Sequence, residues 1–174
     1  ICINPKNTNQ IVAGSNLNLY YYSTNAGLNW TKATLTSTYS VWGDPSLTVD
    51  TAGNFYYGHL TNAASSYFID RIVVQKSTNG GINWSNGTFA GYIPPKQQDK
   101  EWLCVDPRNN NIYMSWTQFD SYGSSSPSDS SIILFSRSTD AGTTWSTALR
   151  INKKAGDCVD EDNTVEGAVP CTGP

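Results

Sequence analysis

Three acidic residues could do chemistry together because of where they lie relative to a repeated stretch of the sequence. Asp44, Glu101 and Glu166 each lie three to five residues before the same position of that stretch, which is occupied by Thr48, Cys104 and Cys171. Two carboxyl groups at a suitable distance serve as acid and as nucleophile or base in glycosidases, and converging carboxylates bind a cation or the hydroxyls of a polyol. We therefore take these residues as catalytic candidates and expect them to face one central region of the protein. The alternative is that each caps a turn or pairs with a nearby lysine.

An acidic loop between residues 157 and 166 is a candidate metal site. Asp160, Asp162 and Glu166 place carboxylates at alternating positions, which suits Ca²⁺ because this ion prefers oxygen ligands. The loop lacks the glycine at the sixth position and the flanking helices of an EF-hand. A solvated acidic loop is the alternative, and the rest of the sequence requires no cofactor.

Arg71, Arg108 and Trp102 are candidate ligand-binding residues. An arginine holds a carboxylate with two parallel hydrogen bonds, so Arg71 or Arg108 could bind an anionic sugar. The flat indole of Trp102 could stack on a sugar ring. Surface salt bridges and packing in the sheet cores are the alternative uses of these side chains.

The elements that must position these residues are visible as internal repeats. The pattern Ser-Thr-Asn/Asp-x-Gly-x-x-Trp occurs three times, and strand-like residues precede each copy. Asn or Asp at its third position closes a turn onto backbone N–H groups, glycine at the fifth adopts a positive φ, and tryptophan anchors the turn to the sheet. Each copy is therefore predicted to be a hairpin turn with a buried tryptophan. The defining residues are Ser23, Asn25, Gly27, Trp30, Ser77, Asn79, Gly81, Trp84, Ser138, Asp140, Gly142 and Trp145.

A second repeat interleaves with the first. Strand-like phrases that begin at Ile1, Leu47 and Leu103 share a register, and each is followed by another strand-like run. Four strands in about 50–60 residues is the size of one propeller blade. The predicted fold class is therefore all-β, a β-propeller of four-stranded antiparallel blades with no helix longer than about two turns. A β-sandwich is the alternative. The blades are predicted at residues 1–46, 47–102 and 103–167, with the start of a further blade at 168–174.

Composition excludes some partners. The net charge is −3 and the one basic pair is Lys153–Lys154, whereas a nucleic-acid partner would need a basic stripe. No apolar run reaches the roughly 18 residues of a membrane span, so membrane insertion is not expected.

The number of cysteines is even, four, which fits an exported protein. Cys158 and Cys171 flank the acidic loop, and a disulfide between them is predicted to hold that loop in place.

The three repeated motifs resemble the Asp-box of sialidases and of the wider BNR-repeat family, in its bacterial exported type. The phrases around Asp44, Glu101 and Glu166 extend the resemblance over nearly the whole chain. The resemblance implies a six-bladed β-propeller of which about three blades are covered. It also implies a secreted or cell-surface protein whose partners are glycans or glycoproteins, together with the remaining blades of the same protein.

The resemblance does not imply activity, because the Asp-box recurs in proteins that are not enzymes. Sialidases use three arginines on the substrate carboxylate, a tyrosine nucleophile paired with a glutamate, and an aspartate as acid and base. Their first arginine usually stands in an Arg-Ile-Pro phrase, whereas Arg71-Ile72-Val73 lacks the proline. The expected function is therefore glycan recognition. The alternatives are an active exo-glycosidase of the sialidase type completed by other blades, and a structural repeat of a large surface adhesin.

Overall fold

The computed structural model describes residues 1–62 and 68–173, and this part of the chain contains β-strands and no helix. The strands form three four-stranded antiparallel sheets. The first sheet contains β1 (Cys2–Ile3), β2 (Ile11–Gly14), β3 (Leu19–Ser23) and β4 (Thr31–Thr34). The second contains β5 (Gly43–Val49), β6 (Phe55–Asn62), β7 (Ile69–Ser77) and β8 (Thr88–Ala90). The third contains β9 (Gln97–Val105), β10 (Ile112–Phe119), β11 (Ser131–Ser138) and β12 (Leu149–Arg150).

Each sheet is a meander in which consecutive strands are neighbours. The predicted all-β class and the four-stranded antiparallel sheets are therefore confirmed. The second and third sheets begin at Gly43 and Gln97, a few residues before the predicted boundaries, because their first strands pair along the whole neighbouring strand as far as Leu60 and Phe119. These early segments contain polar residues, so the sequence pattern does not indicate that they are strands.

Two hydrophobic cores join the three sheets. Val12 and Tyr20 of the first sheet pack with Phe55 and Tyr57 of the second. The opposite face of the second sheet packs on the third in a larger core, whose buried residues include Tyr56, Leu60, Ile72, Met114 and Trp116. Alternate residues of β6 thus enter different cores, as the two-residue period of a strand requires.

The three repeated motifs connect the third and fourth strands of their sheets with the same hydrogen bonds. The first serine accepts the glycine N–H, at 2.9 Å in the first and third copies and 3.0 Å in the second. It also donates to the Asn or Asp side chain, which in turn accepts the N–H of the seventh residue at 2.9 Å in each copy. One buried hydroxyl therefore organises each turn, and these three segments are called the repeat turns below (residues 23–30, 77–84 and 138–145).

The tryptophans of the repeat turns differ in burial. Trp84 packs edge-on against Tyr20 of the first sheet, with ring centroids 5.8 Å apart, and Trp145 donates to Thr88 of the second sheet at 2.9 Å. Trp30 is 41% exposed. The prediction of three equivalent buried tryptophans is therefore wrong, because Trp84 and Trp145 are partly buried and Trp30 is exposed. The second and third repeat turns pack on the preceding sheet, and the first sheet has no sheet before it within the described residues.

The last described segment, residues 168–173, contains no strand, although the start of a blade was predicted there. It nevertheless lies against the third sheet, because the Ser115 hydroxyl donates to the carbonyl of Ala168. Within the described residues the sheets do not close into a ring. A helix that could span a membrane is not found among the described residues.

Candidate functional site

A cavity of about 470 Å³ lies where the first strands of the second and third sheets begin. Asn16 and Leu17 of the first sheet's second turn form one wall of this cavity. The remaining walls come from the second and third sheets and include Trp42, Asp44, Leu60, Ile69, residues 97–100, Phe119 and Tyr122. A volume of this size, lined by aromatic and charged groups, is typical of a small-molecule site.

A shared irregularity of the first strands places charged side chains in this cavity. Asp44 and Lys100 both adopt a left-handed backbone, with φ of 50° and 51°. The pairing with the neighbouring strand shifts at the same point in both sheets. Such bulges re-aim a side chain and are frequent next to functional sites. Asp44 and Lys100 therefore occupy equivalent positions in successive sheets.

Asp44 and Lys100 form an ion pair across the two sheets, with 3.8 Å between Oδ2 and Nζ. Partial burial lowers the pKa of Lys100, but the surrounding carboxylates, led by Asp99, raise it more, so its pKa lies above the ordinary value. Burial also raises the pKa of Asp99, which accepts the backbone N–H of Lys100 at 2.8 Å. The cavity thus holds one ammonium group among several carboxyl groups.

Tyr122 links the cavity to the acidic loop. Its hydroxyl donates to Asp160 at 2.7 Å, and this hydrogen bond, together with burial, raises the pKa of Tyr122 to about 12. Burial and the charge of Asp160 raise the pKa of Glu166. Both Asp160 and Glu166 act electrostatically on Lys100, so the structure brings the end of the acidic loop near the cavity.

All three catalytic candidates lie in the electrostatic neighbourhood of Lys100, but Glu101 does not line the larger cavity and instead lines a smaller one of about 210 Å³ together with Asp44 and Lys100. Glu101 is 3% exposed, and neither of its carboxyl oxygens has a hydrogen-bond partner within the described residues. Its Cγ lies next to Gly58, between the second and third sheets. The expectation that the three carboxylates face one central region stays a prediction.

A register slip of one residue explains the position of Glu101. Asp44 lies four residues before Thr48, and the residue four before Cys104 is Lys100. Glu101 is thus equivalent to Pro45, on the opposite face of the strand, as expected when a strand position shifts by one. Burial raises the pKa of Glu101 well above its ordinary value.

The predicted ligand-binding residues lie in three different places. Arg108 binds Asp106, with 3.0 Å from Nε to Oδ1, in the turn after β9. Arg71 binds Asp70 through two hydrogen bonds of 2.8 and 2.7 Å and lies among aromatic rings. Trp102 is 43% exposed and lines a separate cavity of about 210 Å³ beside Asp44 and Lys100. No arginine lines the described part of the larger cavity.

The predicted disulfide is absent. All four cysteines are free, with Cys158 buried and Cys171 exposed. The carbonyl of Cys158 accepts the N–H of Gly123 at 2.7 Å, so the loop that carries it is folded onto the segment after β10. Hydrogen bonds rather than a disulfide therefore hold the acidic loop.

The calcium prediction at Asp160, Asp162 and Glu166 stays a prediction. The described residues contain no group of three His, Cys, Asp or Glu side chains arranged to hold a metal ion. Asp162 is exposed, and Asp160 binds Tyr122.

Sequence reasoning did not identify Asp99, Lys100 and Tyr122 as site residues. Lys100 could have been found by counting back the same number of residues from each of the aligned strand positions, as Asp44 is counted from Thr48. Tyr122 carries no such signal, because it lies in a loop whose course depends on its hydrogen bonds to Gln97 and Asp160.

Comparison with known proteins supports the fold. No family model matches the sequence, and no curated protein sequence matches it. Among solved structures, the chain is similar to Hadza microbial sialidase Hz136, with a TM-score of 0.51 and 17% sequence identity over 78% of this chain. The match covers 34% of that sialidase, so the chain spans about a third of its length. This likeness shows a sialidase-like β-fold.

Proposed function

We propose that this chain is part of a sialidase-like β-propeller that recognises glycans at the cavity around Lys100. The observation that carries the proposal is the meeting of three sheets around a cavity of about 470 Å³ that contains an ion pair and the aromatic residues Trp42, Phe119 and Tyr122. Polar groups that fix orientation, combined with aromatic walls, are what a sugar with apolar and hydroxylated faces requires.

The same proposal covers the propeller, the repeat turns and the location of the protein. The three sheets are three blades of a six-bladed ring, and the repeat turns are Asp-boxes of the BNR type. The protein is secreted or displayed at the cell surface, where glycans and glycoproteins are its partners. Similarity to a sialidase fold supports the propeller architecture, and the repeated hydrogen bonds of the three turns support the assignment of the Asp-boxes.

A glycan array tests the binding function. The protein is expected to bind a defined group of glycans, and Lys100→Ala is expected to weaken that binding about tenfold or more, because a hydrogen bond to a charged group contributes about 1.5–3 kcal/mol. Lys32→Ala is the matched control, since Lys32 is an exposed lysine of β4. Absence of binding to every glycan would favour the structural-repeat alternative, and equal loss in both variants would argue against the cavity.

One observation favours an exo-glycosidase as a second candidate function. The Tyr122 hydroxyl donates to Asp160 at 2.7 Å, and Glu166 carries a carboxyl group whose pKa is raised. A hydroxyl beside a carboxylate acceptor is the arrangement of an activated nucleophile. Release of 4-methylumbelliferone from a panel of fluorogenic glycosides, abolished by Tyr122→Phe, would establish this activity. No release from any glycoside would leave binding as the function.

A further inference from the structure

A cluster of aromatic rings on the second sheet lies outside the cavity and has no role in the site described above. Tyr39 precedes β5, Phe89 lies on β8, and Tyr92 follows β8. The rings meet edge to face, with centroids 5.4 Å apart for Tyr39 and Phe89 and 6.2 Å apart for Phe89 and Tyr92. We call these three residues the aromatic platform.

The guanidinium group of Arg71 contacts each ring of the aromatic platform. Its guanidinium carbon lies 4.0 Å from the ring centre of Tyr92, 4.7 Å from that of Phe89 and 5.7 Å from that of Tyr39. Cation–π attraction acts within about 6 Å, so the guanidinium contacts all three rings. Because Asp70 binds the same guanidinium through two hydrogen bonds, the platform has no net charge.

The backbone around the aromatic platform is fixed on both sides. Ser40 donates to the carbonyl of Asn62 at 2.8 Å, and the Thr61 hydroxyl donates to the carbonyl of Tyr39. Gly91 adopts a φ of +77°, and a Cβ at this position would lie 3.1 Å from Trp116. The segment that carries Tyr92 therefore packs closely on the core, and the rings are held in place before any ligand binds.

The outer surface of the aromatic platform is open. Tyr92 is 50% exposed and Phe89 is 37% exposed. The hydroxyls of Tyr39 and Tyr92 have no hydrogen-bond partner within the part of the chain that the structure describes. The exposed surface thus combines flat rings with unused hydroxyl groups.

From this geometry we propose that the aromatic platform is a second carbohydrate-binding subsite, which takes a neutral pyranose ring. The ring's C–H face stacks on Tyr92, and its hydroxyls bond to the free tyrosine hydroxyls. The exposed rings offer roughly 200 Å², because an aromatic side chain has 150–250 Å² in all. A stable protein partner needs about 800 Å² on each side, so the area fits a sugar ring better than a protein.

The subsite rests on the proposed glycan-binding function and extends it. Ile69 lines the cavity and Arg71 supports the platform, and both lie at the beginning of β7. The two sites are therefore at the same end of the second sheet. A glycan chain held at the cavity can place a more distant, neutral residue on the platform.

Native affinity electrophoresis tests the subsite. The protein runs through gels that contain a soluble β-glucan, a galactomannan or an arabinoxylan, and a separate gel contains polygalacturonate. We expect retardation in at least one neutral gel. Tyr92→Ala should raise the apparent Kd about threefold to tenfold, the equivalent of about 0.5–1.5 kcal/mol for an aromatic contact. Tyr92→Phe, which keeps the ring, should retain most of the retardation.

Trp30→Ala is the matched control, because Trp30 is 41% exposed on a different sheet, and it should leave retardation unchanged. Thermal unfolding of each variant shows that it is folded. Retardation that Tyr92→Ala does not change, or that occurs only with polygalacturonate, overturns the subsite. If Lys100→Ala abolishes retardation and Tyr92→Ala does not alter it, the cavity function stands and the subsite fails. Loss in Tyr92→Ala alone supports the subsite and counts against the cavity.

Discussion

Two buried titratable side chains, His59 of the second sheet and Glu101 of the third, lie at opposite faces of the second sheet. The stability contributed by these two groups depends on pH in opposite directions. His59 packs beside Tyr57, towards the first sheet, and burial lowers its pKa to about 4. Between pH 6.5 and 4 the unfolded chain binds a proton that the folded His59 does not, so stability falls as the pH falls. Glu101, beside Gly58, has a raised pKa. Its folded state keeps a proton that the unfolded state loses above pH 4.5, so stability falls as the pH rises.

The two effects overlap between pH 4.5 and 6.5, so the effect of Glu101 is best measured as a difference from a variant that keeps His59. As the pH rises above 4.5, the free energy of unfolding of the natural protein should fall relative to that of the variant, by at most about 1.4 kcal/mol per pH unit from this one group. Glu101→Gln, which cannot ionise, should lack this part of the slope. Urea unfolding at a series of pH values measures the difference between the two proteins. Glu161→Gln changes an exposed carboxylate and should follow the natural protein. Parallel curves for Glu101→Gln and the natural protein would contradict a buried, unpaired Glu101.

At the scale of the elements, the repeat turns connect neighbouring sheets as well as neighbouring strands. A Cβ at Gly81 would lie 2.5 Å from Val12 of the first sheet, and Trp84 packs on Tyr20 and Tyr57. The first repeat turn has no such partner sheet within the described residues. The same eight-residue motif therefore contributes different amounts of stability in different copies.

Replacing Trp84 by alanine should cost about 3–5 kcal/mol, the usual cost of truncating a packed tryptophan. Trp30→Ala should cost less than about 1 kcal/mol, because 41% of Trp30 is already exposed and it packs on no preceding sheet within the described residues. Urea denaturation followed by circular dichroism gives both values. Equal costs would show that the turns act only within their own sheets.

The sequence predicts the repeated elements well because the repeat turns have strict local requirements. Serine, Asn or Asp, and glycine each serve one hydrogen bond or one backbone angle, so their spacing is sufficient to locate three turns. The bulges at Asp44 and Lys100 have no such signal, since a φ of about 50° is uncommon for any residue but glycine and lysine does not favour it. The candidate site depends on those bulges. This is why the sequence aligns Glu101 with Asp44, whereas Lys100 holds the equivalent position in the structure.

At the scale of the whole molecule, contact between successive sheets follows one rule. Gly14 of β2 leaves room for Leu47 of the second sheet, and Gly58 of β6 leaves room for Leu103 of the third. The equivalent position of β10 is Ser115, whose hydroxyl donates to Ala168. The segment around Ala168 thus lies against the third sheet in the place where β5 and β9 lie against the first and second.

This arrangement predicts that the final segment stabilises the third sheet although it contains no strand. Val165 donates its N–H to the hydroxyl of Ser131 at 2.9 Å, and both Ser131 and Ser115 are buried. Removing residues 165–174 would expose these hydroxyls and the apolar surface beside them. We expect a loss of about 1–3 kcal/mol in the free energy of unfolding, measured by urea denaturation. Removing only residues 171–174 should have little effect, because Cys171 and Gly173 are exposed. An equal effect of the two truncations would mean that the segment does not pack on the third sheet as an inner strand of a further sheet would.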